Sequence, residues 1–215
     1  LLLSRRLHCF GLLVATSMAL HAQDVRYSTA WFGPNANPVP LFNGARIPSL
    51  TTFTLSVDYN YGHGDRTSSF YATAELPLIS KKVSFKVWGC LLESYSVDPQ
   101  VKQSRGMIGA KNSGTATGDL YVQTRMMLYS NQKNDFNILL NATLRTASGS
   151  GFGQRRYFDT PGYYFDVEAG KSFFTGGKLV KEIRLGADLG FMAWETTGSW
   201  QDDAPMYGAK LILAN

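Results

Sequence analysis

At 215 residues the chain can bury one sizeable core or close one barrel, and its 17% charged content lies below the roughly one quarter usual for a soluble domain. Twenty-one glycines, eleven tyrosines and thirteen phenylalanines suit strands and turns rather than helices. The formal charge of +5 falls to +3 once two leader arginines are removed with no acids, too mild a balance to imply a nucleic-acid partner.

Residues 1–22 carry Arg5 and Arg6, then an apolar stretch over 7–20 and a small-residue end at Ala19 or Ala22. This pattern predicts a cleaved secretory signal peptide. No other stretch approaches the ~20 apolar residues of a membrane-spanning helix. The exported remainder keeps one cysteine, Cys90, and one histidine, His63. That excludes an intramolecular disulfide, a thiolate metal site and a multi-histidine cluster, so neither a metal nor a cofactor is implied. The chain starts at Leu1 rather than Met and ends at Asn215 within a strand-like run. It is therefore read as an N-terminal fragment.

Residues 23–48 hold four of the eight prolines, Pro34, Pro38, Pro40 and Pro48, and predict extended, irregular chain. Such a segment belongs either in the periplasm or in a barrel mouth.

From residue 49 onward the chain alternates. The run over 50–61 sets Phe53, Leu55, Val57 and Tyr59 against Thr54, Ser56, Asp58 and Asn60. The run over 69–78 sets Phe70, Ala72 and Leu76 against Tyr71, Thr73 and Glu75. The third, over 82–97, begins with Val83, Phe85 and Val87 opposite Ser84 and Lys86, then blurs at Cys90, Leu91 and Leu92. A fourth, over 118–129, sets Leu120, Val122 and Met126 against Asp119, Gln123 and Arg125. The fifth sets Ile138, Leu140 and Leu144 against Asn141, Thr143 and Arg145, and the sixth sets Tyr163, Phe165 and Val167 against Asp166 and Glu168. The seventh, over 181–196, opposes Leu185, Leu189 and Phe191 to Arg184 and Asp188, and the eighth, over 207–213, opposes Leu211 and Leu213 to Lys210. Successive strand side chains point to opposite faces, so each run has an apolar face and a polar one.

The runs are close to the ~9–11 residues with which a tilted strand crosses a bilayer. The expected connections alternate in length: 79–81, 130–135 and 174–180 on one side, and 62–68, 98–117, 148–161 and 197–206 on the other. Aromatics gather at the run ends, as in the two interfacial girdles of an outer-membrane barrel. The reading is an all-β, antiparallel, up-and-down transmembrane β-barrel with about eight strands present and incomplete, built as 1–22 signal, 23–48 irregular segment and 49–215 barrel.

Several stretches carry a resemblance: Trp31-Phe32-Gly33-Pro34-Asn35-Ala36, Thr117-Gly118-Asp119-Leu120-Tyr121, Leu144-Arg145-Thr146-Ala147-Ser148-Gly149, Arg156-Tyr157-Phe158-Asp159-Thr160-Pro161-Gly162-Tyr163, and Gln201-Asp202-Asp203-Ala204 before Met206-Tyr207-Gly208. On these the chain resembles an uncharacterised Bacteroidota outer-membrane β-barrel family. The resemblance implies a longer barrel and carries no catalytic residues with it.

Mid-strand charges facing lipid cost a few kcal/mol each, so Asp119, Arg125, Arg145, Asp166, Glu168, Arg184, Asp188 and Lys210 are expected to face the lumen. There they either pair with one another and fill it, or line a path for a small polar solute. Arg155 and Arg156, in the 148–161 loop, are candidates for lipopolysaccharide phosphates, with Asp159 beside them. Asp159, Asp202 and Asp203 read as solvated loop carboxylates rather than a calcium site. His63-Gly64-Asp65-Arg66, near Ser68 and Ser69, reads as a hairpin tip rather than an acyl-hydrolase triad. The expected function is passage or uptake of small polar solutes across the outer membrane, with outer-membrane lipid and lipopolysaccharide as surroundings. The alternatives are a structural or loop-binding barrel and, third, a lipid-modifying enzyme.

Overall fold

The computed structural model describes residues 29–78, 82–109, 111–175, 177, 179–195 and 202–215. The leader read over 1–22 and the first residues of the irregular segment lie outside them. The strands are β1 (Thr52–Gly62), β2 (Asp65–Leu78), β3 (Val83–Val97), β4 (Ser113–Ala116), β5 (Leu120–Asn131), β6 (Phe136–Arg145), β7 (Gly162–Phe174), β8 (Glu182–Trp194) and β9 (Asp202–Ala214), with one short helix, α1 (Pro99–Ser104). Every pairing is antiparallel, in the order β1-β2-β3-β5-β6-β7-β8-β9, and β4 pairs only with β3. The meander forms a curled half-barrel. Among the described residues, β1 and β9 each lack a second neighbouring strand.

All eight expected runs are strands, and β4 is a ninth inside the long 98–117 connection. β4 extends the same edge of β3 that β5 continues: Glu93–Ser96 pair with Ser113–Ala116, and Val83–Gly89 pair with Leu120–Met126. The blur in the third run has a physical cause. The register shifts where Phe70 pairs with Leu92 and Tyr71 with Cys90, so Leu91 is the extra residue of a bulge. Leu91 and Leu92 are then both exposed, and the inward positions change from Ser84 and Lys86 to Glu93, Tyr95 and Val97.

Two expectations need correction. The connection expected over 62–68 is only the His63–Gly64 turn, because β2 starts at Asp65; Gly64 takes φ +72°, a conformation that lets so short a turn close. The first connection on the long-loop side is therefore the shortest of all. Because β9 starts at Asp202, the β8–β9 connection (195–201) is no longer than the β7–β8 one (175–181), so the alternation holds only between β3 and β7. The expected girdle is also incomplete: Tyr95 and Trp194, two of the aromatics at the run ends, are buried inside.

One face of the sheet carries exposed apolar side chains such as Leu55, Val57, Phe165, Val167, Leu189 and Leu211. The opposite face is the buried one, and it is polar: Arg125, Arg145, Arg184, Glu168 and Asn141 are among its largest buried side chains. Residues 29–48 lie along this inner face. They begin with a 3-10 turn (Thr29–Trp31) near the long loops and end beside the β5–β6 turn. Residues 29–48 thus lie deeper than a barrel mouth, against the inner face of the strands.

Candidate functional site

Polar groups occupy the inner face in tiers. At the long-loop end Glu93 is the centre: it accepts from Arg156 Nε at 2.5 Å, Asn35 Nδ2 at 2.7 Å and the Tyr157 hydroxyl at 3.0 Å. Arg156 also reaches Asp65 at 3.2 Å and Thr67 at 2.8 Å, and Asp65 takes Arg105 at 2.5 Å. These contacts fold the 148–161 loop inward, where Phe158 packs on Phe32, with ring centroids 4.3 Å apart.

In the next tier Arg145 donates to the Ala36 carbonyl at 3.3 Å and to Asn37 Oδ1 at 2.9 Å, which also accepts from Tyr164 at 2.8 Å. Asp119, in the connection just before β5, accepts the Gly149 N–H at 2.7 Å but stands 3.8 Å from Arg145 Nε. Burial pushes its carboxyl up to about 6, and the Gly149 N–H and the Arg145 charge offset only part of that.

At mid-strand Arg125 joins two acids, Glu75 at 2.7 Å and Glu168 at 3.0 Å. Asn141 donates to Asp166 at 2.5 Å. Asp166 Oδ1 and Asp188 Oδ1 are buried and meet no donor among the described residues. At the turn end Arg184 donates to the Gly44 carbonyl at 2.6 Å and to Asp135 at 3.1 Å. Arg46 bridges Asp135 and Glu182, both at 2.5 Å. Burial raises the Asp135 carboxyl, but hydrogen bonds from Ser172 and Arg46 outweigh it and hold Asp135 below the ordinary carboxylate range.

The internal segment thus crosses every tier and is gripped at both ends. Beside it, toward β1–β3, lies a cavity of about 230 Å³. Asp58 and Lys86 line it, with Thr73, Trp88, Val39 and Leu41. Lys86 sits 4.9 Å over the Trp88 ring, and among the described residues its ammonium hydrogen-bonds only the Leu41 carbonyl, at 3.5 Å.

Of the residues singled out from sequence, Asp119, Arg125, Arg145, Asp166, Glu168, Arg184 and Asp188 are all buried on this face. Lys210 is exposed near the β9 edge and donates to the Phe42 carbonyl at 3.0 Å. Arg155 and Arg156 both lie inside rather than on the loop surface. Arg156 is 0% exposed and closed in by carboxylates, while Arg155 is 7% exposed and donates to the Arg105 carbonyl. Asp159 is exposed.

Asp65 accepts from Arg156, and Ser69 accepts from Asn35. Among the described residues no group of three or more histidine, cysteine or acidic side chains could hold a metal ion. Sequence reasoning missed Asn35, Arg46, Glu75, Lys86 and Glu93. Glu75 and Lys86 stood on polar faces already recognised and were simply not counted. Glu93 was hidden by the bulge, and Asn35 and Arg46 by the irregular segment. No family model matches the chain, and no curated protein or solved structure matches it.

Proposed function

We propose that the chain builds the wall of an outer-membrane β-barrel and lets small polar solutes pass along its inner face, beside the internal segment. One observation carries this reading: the sidedness is inverted relative to a soluble domain. Val57, Val167 and Leu189 are exposed while Arg125, Arg145 and Glu168 are buried. Hydrocarbon outside removes the cost of the first set, and charges turned away from lipid avoid the cost of the second. The leader read over 1–22 and the Bacteroidota outer-membrane resemblance point the same way. The cavity between the internal segment and β1–β3, with Asp58 and Lys86 on its lining, provides opposite charges for a polar or zwitterionic solute.

The test has two stages. The mature protein should fractionate with the outer membrane and show heat-modifiable migration; recovery as a soluble periplasmic protein rejects the barrel. Planar-bilayer recordings should then show conductance. The gripped internal segment and the inward-folded 148–161 loop favour a second reading, a non-transporting barrel that acts through structure or its loops. Outer-membrane recovery with no conductance selects that reading.

A further inference from the structure

Residues 42–46 lie in a groove on β7, β8 and β9 whose floor is glycine. A side-chain carbon at Gly170 would stand 1.9 Å from the Gly44 carbonyl oxygen, one at Gly186 2.9 Å from Gly44 Cα, and one at Gly208 2.7 Å from the Phe42 ring. Gly170 and Gly186 are partners across β7 and β8, and Gly208 lies opposite Asp188 on β9. Side chains at these three positions would close the groove, so their absence is what admits a backbone.

The rim reads main-chain groups that any peptide has. Lys210 donates to the Phe42 carbonyl at 3.0 Å, Arg184 Nε donates to the Gly44 carbonyl at 2.6 Å, and Glu168 accepts the Ala45 N–H at 2.6 Å. Two side chains are read as well: the Phe42 ring on its glycine shelf, and the Arg46 guanidinium between Asp135 and Glu182. The resident segment is an imperfect fit. Ala45 holds φ +55°, a left-handed backbone that costs any residue but glycine free energy. In the chain leading into the groove the Val39 and Leu41 side chains are exposed.

We infer that this groove is a binding site for short peptides that bend through a left-handed turn and place an aromatic residue four positions before a basic one, and that residues 42–46 are its resident occupant. The inference rests on the solute passage proposed above and names short peptides as the solute class. A free peptide with glycine at the position of Ala45 carries no left-handed penalty. It competes with a tethered segment whose effective concentration is on the order of millimolar.

Fluorescein-labelled Pro-Leu-Phe-Asn-Gly-Gly-Arg and a scrambled form would be titrated by anisotropy into the full chain in detergent micelles. Because the tethered occupant masks the groove, wild type should bind weakly and Arg46→Ala about tenfold more tightly. Gly208→Leu in the Arg46→Ala background should abolish binding, since it fills the aromatic shelf. Should Arg46→Ala lose heat-modifiable migration, Phe42→Ala unloads the groove from its other end and takes its place. Equal binding to wild type and the released variant, or equal binding of the two peptides, overturns the inference. Conductance of the same preparations separates the two proposals. Raised conductance in Arg46→Ala without selective peptide binding rejects the peptide site and leaves solute passage standing. Selective peptide binding with no conductance does the reverse.

Discussion

Arg125 holds together two carboxylates from strands far apart in the chain, Glu75 on β2 and Glu168 on β7, and all three side chains are buried. Removing the cation alone would leave both acids, among the described residues, without a salt bridge. Arg125→Met should therefore cost ~3–5 kcal/mol in denaturant unfolding from micelles, whereas Arg125→Met with Glu75→Gln and Glu168→Gln should recover much of that loss. Similar stability for the single and triple variants would contradict the network. Asp119 makes a separate prediction. Its folded carboxyl titrates at about 6 against an ordinary 3.8, so the native state holds the proton more tightly than the unfolded one. Its contribution to stability is fully present below about 3.8 and is lost as pH rises through about 6. Melting temperature should fall across that window, and Asp119→Asn should remove that part of the slope.

At the scale of elements, the internal segment and the strands it crosses fit each other. The inner positions of β7 and β8 carry glycine where Gly44 passes, because the backbones approach too closely for a side chain. Gly170→Val should expel residues 42–46 while the strands remain paired. Trypsin cleavage after Arg46 should then accelerate at least several-fold over wild type, with heat-modifiable migration unchanged. An unchanged cleavage rate would show that the segment is not seated against β7. The bulge at Leu91 works on the other side of the sheet. By shifting the parity of β3 it turns Glu93 inward, where Arg156, Asn35 and Tyr157 converge on it. The inward fold of the 148–161 loop follows from that one extra residue.

At the scale of the whole molecule, charges of both signs occupy an inner face whose walls have a low dielectric, so each weighs more there than at a surface. Asp166 and Glu168 supply negative charge near the middle of β7. If solutes pass beside them, Asp166→Asn with Glu168→Gln should shift the reversal potential toward anion selectivity in planar bilayers. A silent wild type together with a destabilised double variant would instead identify the acids as purely structural.

Strand positions and faces were legible in the sequence, because an alternating period of two survives whatever the strands later pack against. That period placed Arg145, Glu168 and Arg184 on one face without any knowledge of their partners. What each charge does was not legible. Arg156 looked like a loop cation, and only the fold brings Glu93 and Asp65, 63 and 91 residues away in sequence, around it. Residues 29–48 have no period to read, since proline and glycine suppress regular structure, and their contacts are long-range, many of them through main-chain groups common to every residue. Sequence alone therefore determined the wall and its two faces. Tertiary structure decided what lies inside it, because that depends on which distant backbone fits a floor of glycines.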